Sequence, residues 1–417
     1  MRQNDIPAQM QDTRAGRMAI THAPRRVTIM VEAVNKAPGR PMAYEIALGI
    51  VGFQTIRRTS AKMGNSASCP IHDLSEDAVT PTIGDMTFYT FDMILGGTTA
   101  AFAILAIFLH LVNHATHLSV PREQLKIMRA ALLVPSYSIF CFLCICFPKA
   151  TVYLLPWLDV FQASCLASYF LLLCEYVSPH DHARDLFFST IELKDKRARK
   201  QGMDGATWFR QRWICIFQYV LISFLVAITT VVTEAVGVFC QFKIMPGYAK
   251  LWLAIIDSIS PTVAFVSVVF VALTMKPHMP QQRLILKLLA VKLVVGLGFT
   301  QRIIFWILES TPVLNPTDKL TYADLNIGIP ALLSCLEMVP ISLLIIWAYP
   351  VGPYKYGPSG EACEQEPGDT YPRTYQGGFL GLRAFVDVVN PIETSKGVVI
   401  AIQLLMGREP SMSMTRG

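Results

Sequence analysis

Seven long apolar runs dominate the chain and predict membrane-spanning helices. They cover residues 88–112, 128–147, 154–177, 213–239, 249–275, 284–308 and 325–349. Each run reaches roughly the 20 residues that a helix needs to cross the ~30 Å hydrocarbon core of a bilayer. Aromatic residues stand at several run ends, as expected at the level of the lipid headgroups. The pattern therefore predicts an all-α integral membrane protein with a bundle of seven transmembrane helices.

The composition of the chain excludes a soluble globular domain. Of the 417 residues, 53% are hydrophobic and only 16% are charged, whereas soluble proteins carry about 25% charged residues. So few charges cannot cover a water-exposed surface of this length. We expect membrane lipids as neighbours and no nucleic acid as a partner, with a location in the plasma membrane or in an endomembrane such as that of the vacuole.

The cysteines predict packing rather than cross-linking. Seven of the ten lie inside the apolar runs, where a thiol behaves as a small, soft apolar group. No Cys-x-x-Cys pair has a second pair or a histidine pair at zinc-site spacing. We therefore expect no disulfide framework, no bound metal and no other cofactor.

Positive charges alternate between loops and predict the orientation. Most lysines and arginines of the loops follow the first, third and fifth runs, among them Arg122, Lys126 and Arg210. Short loops rich in these residues stay in the cytoplasm. The stretch before the first run is acidic. The prediction is an N-terminus outside and a C-terminus inside.

Two tails flank the predicted transmembrane domain, which spans residues 87–350. Residues 1–86 are polar and basic and show no helical period, so we expect them to be largely disordered. Residues 351–417 read as a cytoplasmic tail with a linker and an amphipathic helix. The helix would lie on the cytoplasmic leaflet or dock a cytosolic partner protein. Its apolar positions recur at near-helical spacing: Ile392, Val398, Val399, Ile402, Leu405 and Met406.

Ionisable residues inside the runs are candidates for a solute path, because a charge at the centre of a membrane helix costs about 2.5–3.5 kcal/mol. Lys292 and Glu337 have opposite signs and similar depths, so we expect them to pair directly or through water. A purely structural ion pair is equally compatible with the pattern. Further polar residues in the runs complete the set of path candidates: Asp159, Gln218, Asp257 and Gln301.

The histidines raise a second kind of site. His110, His114 and His117 follow one another at the end of the first run, and His180 and His182 lie on the same predicted side. Together they could hold a metal, as in membrane oxidases or hydrolases. Because three full histidine boxes are missing, we expect packing and headgroup contacts instead, and no catalytic residue.

A block after the first run resembles the organic solute transporter alpha-subunit family, most closely its fungal members. Asp159 resembles part of the third-helix motif of the family, and Gln301 and Glu337 resemble parts of its sixth and seventh. Leu158 and Gln162 stand where the family usually has an arginine and a glutamate. The block is carried by His114, His117, Pro121, Glu123, Gln124, Arg129, Pro135 and Tyr137.

This resemblance implies a seven-helix fold and facilitated movement of organic, amphipathic or lipid-like solutes. It also implies that a separate single-span beta subunit is one expected partner, with a homo-oligomer as the alternative. A non-transporting membrane scaffold or receptor that recruits cytosolic proteins through its C-terminal tail is the competing function.

Overall fold

A computed structural model describes residues 69, 74, 80–81, 84–178, 181–191, 202–241, 244–279, 283–309, 316–355 and 375–408. These residues form an all-helical fold without a β-strand. The expectations for most of residues 1–86, for the basic residues 194–200 and for the linker 356–374 lie outside the described residues. The helices are α1 (Phe88–Thr116), α2 (Pro121–Ala131), α3 (Leu133–Cys146), α4 (Thr151–Val177), α5 (Asp181–Thr190), α6 (Gly205–Ala235), α7 (Ala249–Met275), α8 (Leu284–Glu309), α9 (Ile329–Ala348), α10 (Leu382–Val389) and α11 (Ile392–Leu405).

Eight helical stretches of the described chain are long and apolar enough to cross a membrane. Seven of them coincide with the predicted runs. The eighth, Phe379–Leu405, exceeds the predicted count and contains α10 and α11, which are separated at Asn390 and Pro391. These two helices have 8 and 14 residues, or roughly 12 and 21 Å at 1.5 Å per residue. α11 covers the residues for which a C-terminal helix was predicted.

Two of the predicted runs are interrupted where proline or a wide turn disturbs the helix. The second run divides into α2 and α3 at Leu132, because Pro135 has no N–H to donate to the carbonyl one turn earlier. The seventh begins with a π-helical turn, Asp324–Gly328, before α9. Such turns occur often at functional sites.

Two hydrophobic cores share α4 and α8. The first core joins α1, α2, α3 and α9 with one face of α4, the middle of α8 and α10. The second joins α6 and α7 with the other face of α4, the start of α8 and α11. α4 is the most buried of the candidate spans. The two shared helices are therefore the only described transmembrane helices that contribute buried residues to both cores.

The C-terminal helices dock on the bundle through small residues. Gly397 of α11 packs on Phe217 of α6 so closely that a Cβ atom there would overlap the ring. Trp213 donates its Nε1–H to the Gly397 carbonyl at 3.0 Å. The apolar positions predicted from the period, such as Val399 and Leu405, are exposed instead. The face against the bundle therefore differs from the face that the sequence suggested.

A disulfide at the opposite end of the bundle corrects the cysteine expectation. Cys69 is joined to Cys240 in the loop after α6, and Thr80 donates its hydroxyl to the Asp318 carbonyl at 2.7 Å. Neither cysteine lies in an apolar run, so the pattern of apolar residues did not indicate that the two cysteines pair. The predicted packing role is confirmed for five of the others, which are buried: Cys141, Cys144, Cys165, Cys174 and Cys335.

Candidate functional site

Three ionisable side chains from three helices meet within the candidate spans. Asp159 lies on α4, Asp257 on α7 and Arg302 on α8. Arg302 Nη1 is 3.5 Å from Asp257 Oδ2, and both aspartates interact electrostatically with the arginine and with each other. We call these three residues the charge triad. When both aspartates are ionised, two carboxylates and one guanidinium leave it with one excess negative charge.

A hydrogen-bonded chain next to the triad connects the two cores. Gln162, one turn after Asp159 on α4, donates from Nε2 to the Tyr137 hydroxyl. Its Oε1 accepts a hydrogen bond from the Tyr219 hydroxyl at 3.2 Å. Tyr137 belongs to the first core and Tyr219 to the second, and both interact electrostatically with the triad. Gln162 is therefore a polar bridge across the interface between the cores.

Gln218 fixes α6 against α7 one turn from the triad. Its Nε2 donates to the Ser260 carbonyl at 3.0 Å, and its Oε1 accepts from the Ser260 hydroxyl at 3.0 Å. Pro261 lies inside α7 and cannot donate to the carbonyl of Asp257. The predicted path residue Gln218 thus supports the interrupted turn that carries Asp257.

Gln301 and Glu337 form a second polar group on α8 and α9. Gln301 is buried, and its Oε1 accepts a hydrogen bond from the Ser334 hydroxyl at 3.0 Å. Glu337, one turn after Ser334, lies beside the Gln301 side chain. Since Gln301 precedes Arg302 in sequence, this group extends the polar surface from the triad toward α9.

The expected direct ion pair between Lys292 and Glu337 is not formed. Lys292 is exposed on α8, and its Nζ lies 5.0 Å from the centre of the Phe265 ring of α7. Similar depth is not sufficient for contact, because the two side chains leave their helices in different directions. On the same helix α8, it is Arg302 that forms an ion pair with a neighbouring span, through Asp257 of α7.

Most residues of the family-like block organise the basic end of the bundle, whereas Tyr137 belongs to the polar bridge beside the triad. Gln124 is fully buried, and its Oε1 accepts from the backbone N–H groups of Ser119 and Val120 at 2.8 and 2.9 Å. Its Nε2 donates to the His117 carbonyl at 2.9 Å. Pro121 is the first residue of α2, where its missing N–H costs nothing. Gln124 therefore closes the turn between α1 and α2.

The same block binds the C-terminal helices. Arg129 donates to the carbonyls of Val388 and Asp387 at 3.0 and 3.1 Å, and to the Glu393 carboxylate at 2.8 Å. Lys126 lies 2.7 Å from the same carboxylate. Glu123 accepts from the Tyr354 hydroxyl at 2.9 Å. The most specific sequence motif therefore serves to dock α10 and α11.

The histidines are divided between packing and capping. His114 is fully buried and donates from Nε2 to the Tyr349 carbonyl at 3.2 Å. The His110 ring packs edge-on against it, with 4.7 Å between centroids. His117 bonds through Nδ1 to the Asn113 carbonyl at 2.9 Å. In the part of the chain that the structure describes, no three metal-ligating side chains come together; His180 and the His182 side chain lie outside it.

Sequence reasoning missed three members of the site. Gln162 was noted only as a departure from a family pattern, and Tyr219 and Arg302 were not among the path candidates. The signal that could have found Arg302 is its sequence neighbour Gln301. The pairing of Arg302 with Asp257 depends on the relative rotation of α7 and α8, which periodicity does not report.

The comparisons with known proteins agree with the block at the basic end. Residues 92–354, which include the whole triad, match the family model described as organic solute transporter Ostalpha. The chain belongs to this family. It is an integral, multi-pass membrane protein, and the names of two relatives given below describe membrane proteins. No solved structure matches the chain.

Three curated relatives are about a quarter identical to this chain over the aligned residues. A transmembrane protein 184 homolog of Dictyostelium discoideum is 24% identical over 61% of the chain and 52% of its own length. Protein LAZ1 of Arabidopsis thaliana is 22% identical over 61% and 57%. Vacuole membrane protein hfl11 of Schizosaccharomyces pombe is 24% identical over 66% and 64%. The chain thus spans between half and two thirds of these relatives.

Proposed function

We propose that this Ostalpha-family protein carries organic, amphipathic solutes across a membrane along the interface between its two cores. The observation that carries the proposal is the polar bridge of Gln162 beside the charge triad. Five helices contribute to these two groups, and Tyr137 and Tyr219 come from opposite cores. A solute at a polar interface between two separately packed cores can be bound by side chains of both cores. It can then be released by either core.

The surroundings of the site favour a solute with an apolar part. The Arg302 side chain is 55% accessible. Isoleucines near the triad residues in sequence are exposed as well, between 42% and 48%: Ile255, Ile259, Ile303 and Ile304. An exposed apolar surface within a membrane-spanning region faces lipid. A solute could therefore keep its apolar part in the acyl chains while its polar end reaches the triad.

We further propose that seven helices span the membrane and that α10 and α11 lie at its cytoplasmic surface. Each of the two is shorter than the hydrocarbon core, and α11 is anchored by charged side chains to a lysine-rich and arginine-rich end of the bundle. The disulfide between Cys69 and Cys240 lies at the other end. Because disulfides persist outside the cytosol, it supports an N-terminus on the extracytoplasmic side.

Gln162→Leu tests the proposal. Leucine keeps most of the volume but leaves the buried hydroxyls of Tyr137 and Tyr219 without their shared partner. We expect the efflux of two dansylated amphipathic probes from proteoliposomes, one with a quaternary ammonium group and one with a sulfonate, to fall at least about tenfold. The reason is that a buried polar group without its partner costs about 1–3 kcal/mol.

The matched control is Gln376→Leu, because Gln376 is exposed and only its backbone N–H is bonded, to the Leu118 carbonyl. Its efflux should equal that of the unmodified protein. Equal efflux from the Gln162 variant and the control, with both folded, would remove the bridge from the pathway. No protein-dependent efflux of either probe would count against transport.

A non-transporting scaffold is the second candidate, favoured by the exposed apolar residues of α10 and α11. Val389 and Val399 are 75% and 52% exposed, and neither belongs to the docked face. Because deletion of these helices would also uncover the first core, Val389→Ser with Val399→Ser is the sharper test. A transporter should keep its efflux within twofold, whereas a scaffold should lose capture of cytosolic proteins and show no efflux before or after the change.

A further inference from the structure

The charge triad has two carboxyl groups but one guanidinium, so with both carboxyl groups ionised its arginine neutralises only one of them. Arg302 is within ion-pair distance of Asp257. The Asp159 carboxylate, among the described residues, forms neither an ion pair nor a hydrogen bond, although the residue is half-buried within α4. A carboxylate in such a place is expensive unless something positive or hydrogen-donating accompanies it. The fold supplies only one guanidinium for two carboxylates.

Neighbouring side chains do not supply the missing donor. The amide of Gln162, one turn away on α4, is engaged with Tyr137 and Tyr219. The amide of Gln218 is engaged with Ser260 and with the Cys215 carbonyl. The two tyrosine hydroxyls are thereby oriented toward Gln162. Among the described residues, none of these groups lies within hydrogen-bond distance of the Asp159 carboxylate, and a second positive charge beside it would have to be brought by a ligand.

We infer that Asp159 and Asp257 bind the amine or quaternary ammonium group of an amphipathic solute, with Arg302 holding Asp257 in place. This inference rests on the proposed function, because it names the class of solute that the proposed transport site would bind. A cationic headgroup supplies the one positive charge that the triad lacks. The exposed isoleucines of α7 and α8 provide an apolar surface for the chain of such a solute.

Anionic headgroups fit the same site poorly. A carboxylate, sulfate or phosphate would bring a second excess negative charge beside Asp159, and like charges at close range repel strongly where water is scarce. Arg302 could attract an anion, but it is already shared with Asp257. The balance of charge at the triad therefore selects cations over anions.

The experiment is a binding measurement on the full-length protein in nanodiscs of neutral lipid. Thermal unfolding midpoints are recorded with dodecyltrimethylammonium, with dodecyl sulfate and with the uncharged dodecanol. We expect dodecyltrimethylammonium alone to raise the midpoint in a saturable manner. Asp159→Asn should weaken its apparent affinity at least about tenfold, equivalent to about 1.4 kcal/mol.

Asp185→Asn is the matched control, because Asp185 pairs with Arg210 outside the triad and both variants remove one negative charge. Saturable binding of the sulfate in preference to the ammonium would overturn the inference, as would equal ammonium affinity in the Asp159 and Asp185 variants. If Asp159→Asn does not fold, Asp159→Glu, which keeps the charge, should bind the ammonium and its failure to do so would also overturn the inference.

Two results separate this inference from the proposed function. Efflux of the sulfonate probe without ammonium binding would leave transport standing and remove the cationic substrate class. Ammonium binding that depends on Asp159, without efflux of either probe, would leave the binding site standing and remove transport. A response to pH alone, with no preference among the three probes, would indicate that the triad takes up a proton, and it would overturn the inference.

Discussion

Replacing Arg302 by methionine will lower both stability and efflux more than any other single change at the site. The substitution keeps an unbranched side chain of similar reach but leaves Asp159 and Asp257 facing each other without a positive charge. Breaking a fully buried ion pair costs about 3–5 kcal/mol. Because the Arg302 side chain is 55% accessible, we expect about 2 kcal/mol here after discounting for this exposure.

The measurement is the thermal midpoint of the purified protein together with efflux from proteoliposomes. We expect efflux of the dansylated amine to become undetectable, since the position of Asp257 depends on Arg302. Arg302→Met combined with Asp257→Asn should recover at least half of the lost stability, because the pair is then removed from both sides. Arg383→Met is the control, as that arginine is 76% exposed on α10. An unchanged thermal midpoint in Arg302→Met would show that Arg302 does not stabilise the two aspartates electrostatically.

Gly397→Leu will detach α11 from the bundle. A Cβ atom at this position would overlap the Phe217 ring, which is itself fully buried between Phe170 and Trp213. The Phe217 ring cannot move aside, so α11 must move away from α6. It then loses the hydrogen bond from Trp213 to the Gly397 carbonyl. Overpacking of this kind costs about 1–3 kcal/mol, which is comparable to what holds a short surface helix in place.

Limited proteolysis of the protein in nanodiscs measures this change. We expect cleavage within residues 382–405 to accelerate at least about tenfold, because docking that is weaker by 1.4 kcal/mol opens the helix ten times as often. The fluorescence of Trp213 should shift as its surroundings open. Val399→Leu, at an exposed position of the same helix, should behave as the unmodified protein. Identical cleavage of the two variants would exclude the docked arrangement.

The docking of α11 gives the family-like block a structural meaning. Arg129 and Lys126 come from α2, and both bind Glu393, so the only charged pairs that tie the described C-terminal helices to the bundle start in this block. The block is also the most distinctive part of the sequence. A pattern that looks like a signature of transport is thus divided between the docking of α11 and Tyr137, which bonds to Gln162 beside the charge triad.

The helices themselves could be predicted from the sequence because lipid imposes a simple rule. A chain in hydrocarbon must satisfy its backbone hydrogen bonds internally, so a membrane span is a continuous apolar helix and its length is visible directly. The run predicted for residues 249–275 coincides with α7, and that for residues 284–308 differs from α8 by one residue. Small errors occurred where proline interrupts a run, as at Pro135.

The pairing of polar side chains could not be predicted, because depth in the membrane is only one of the three coordinates that decide a contact. Lys292 and Glu337 have similar depth but do not meet, whereas Arg302 reaches Asp257 because α7 and α8 present these two residues to each other. Cys69 and Cys240 are likewise 171 residues apart. Apolar periodicity determined the class of fold and the number of long apolar helices to within one. Only the packing of α4 and α8 against both cores decided which charges face each other, since helix rotation follows from side-chain shape at many contacts at once.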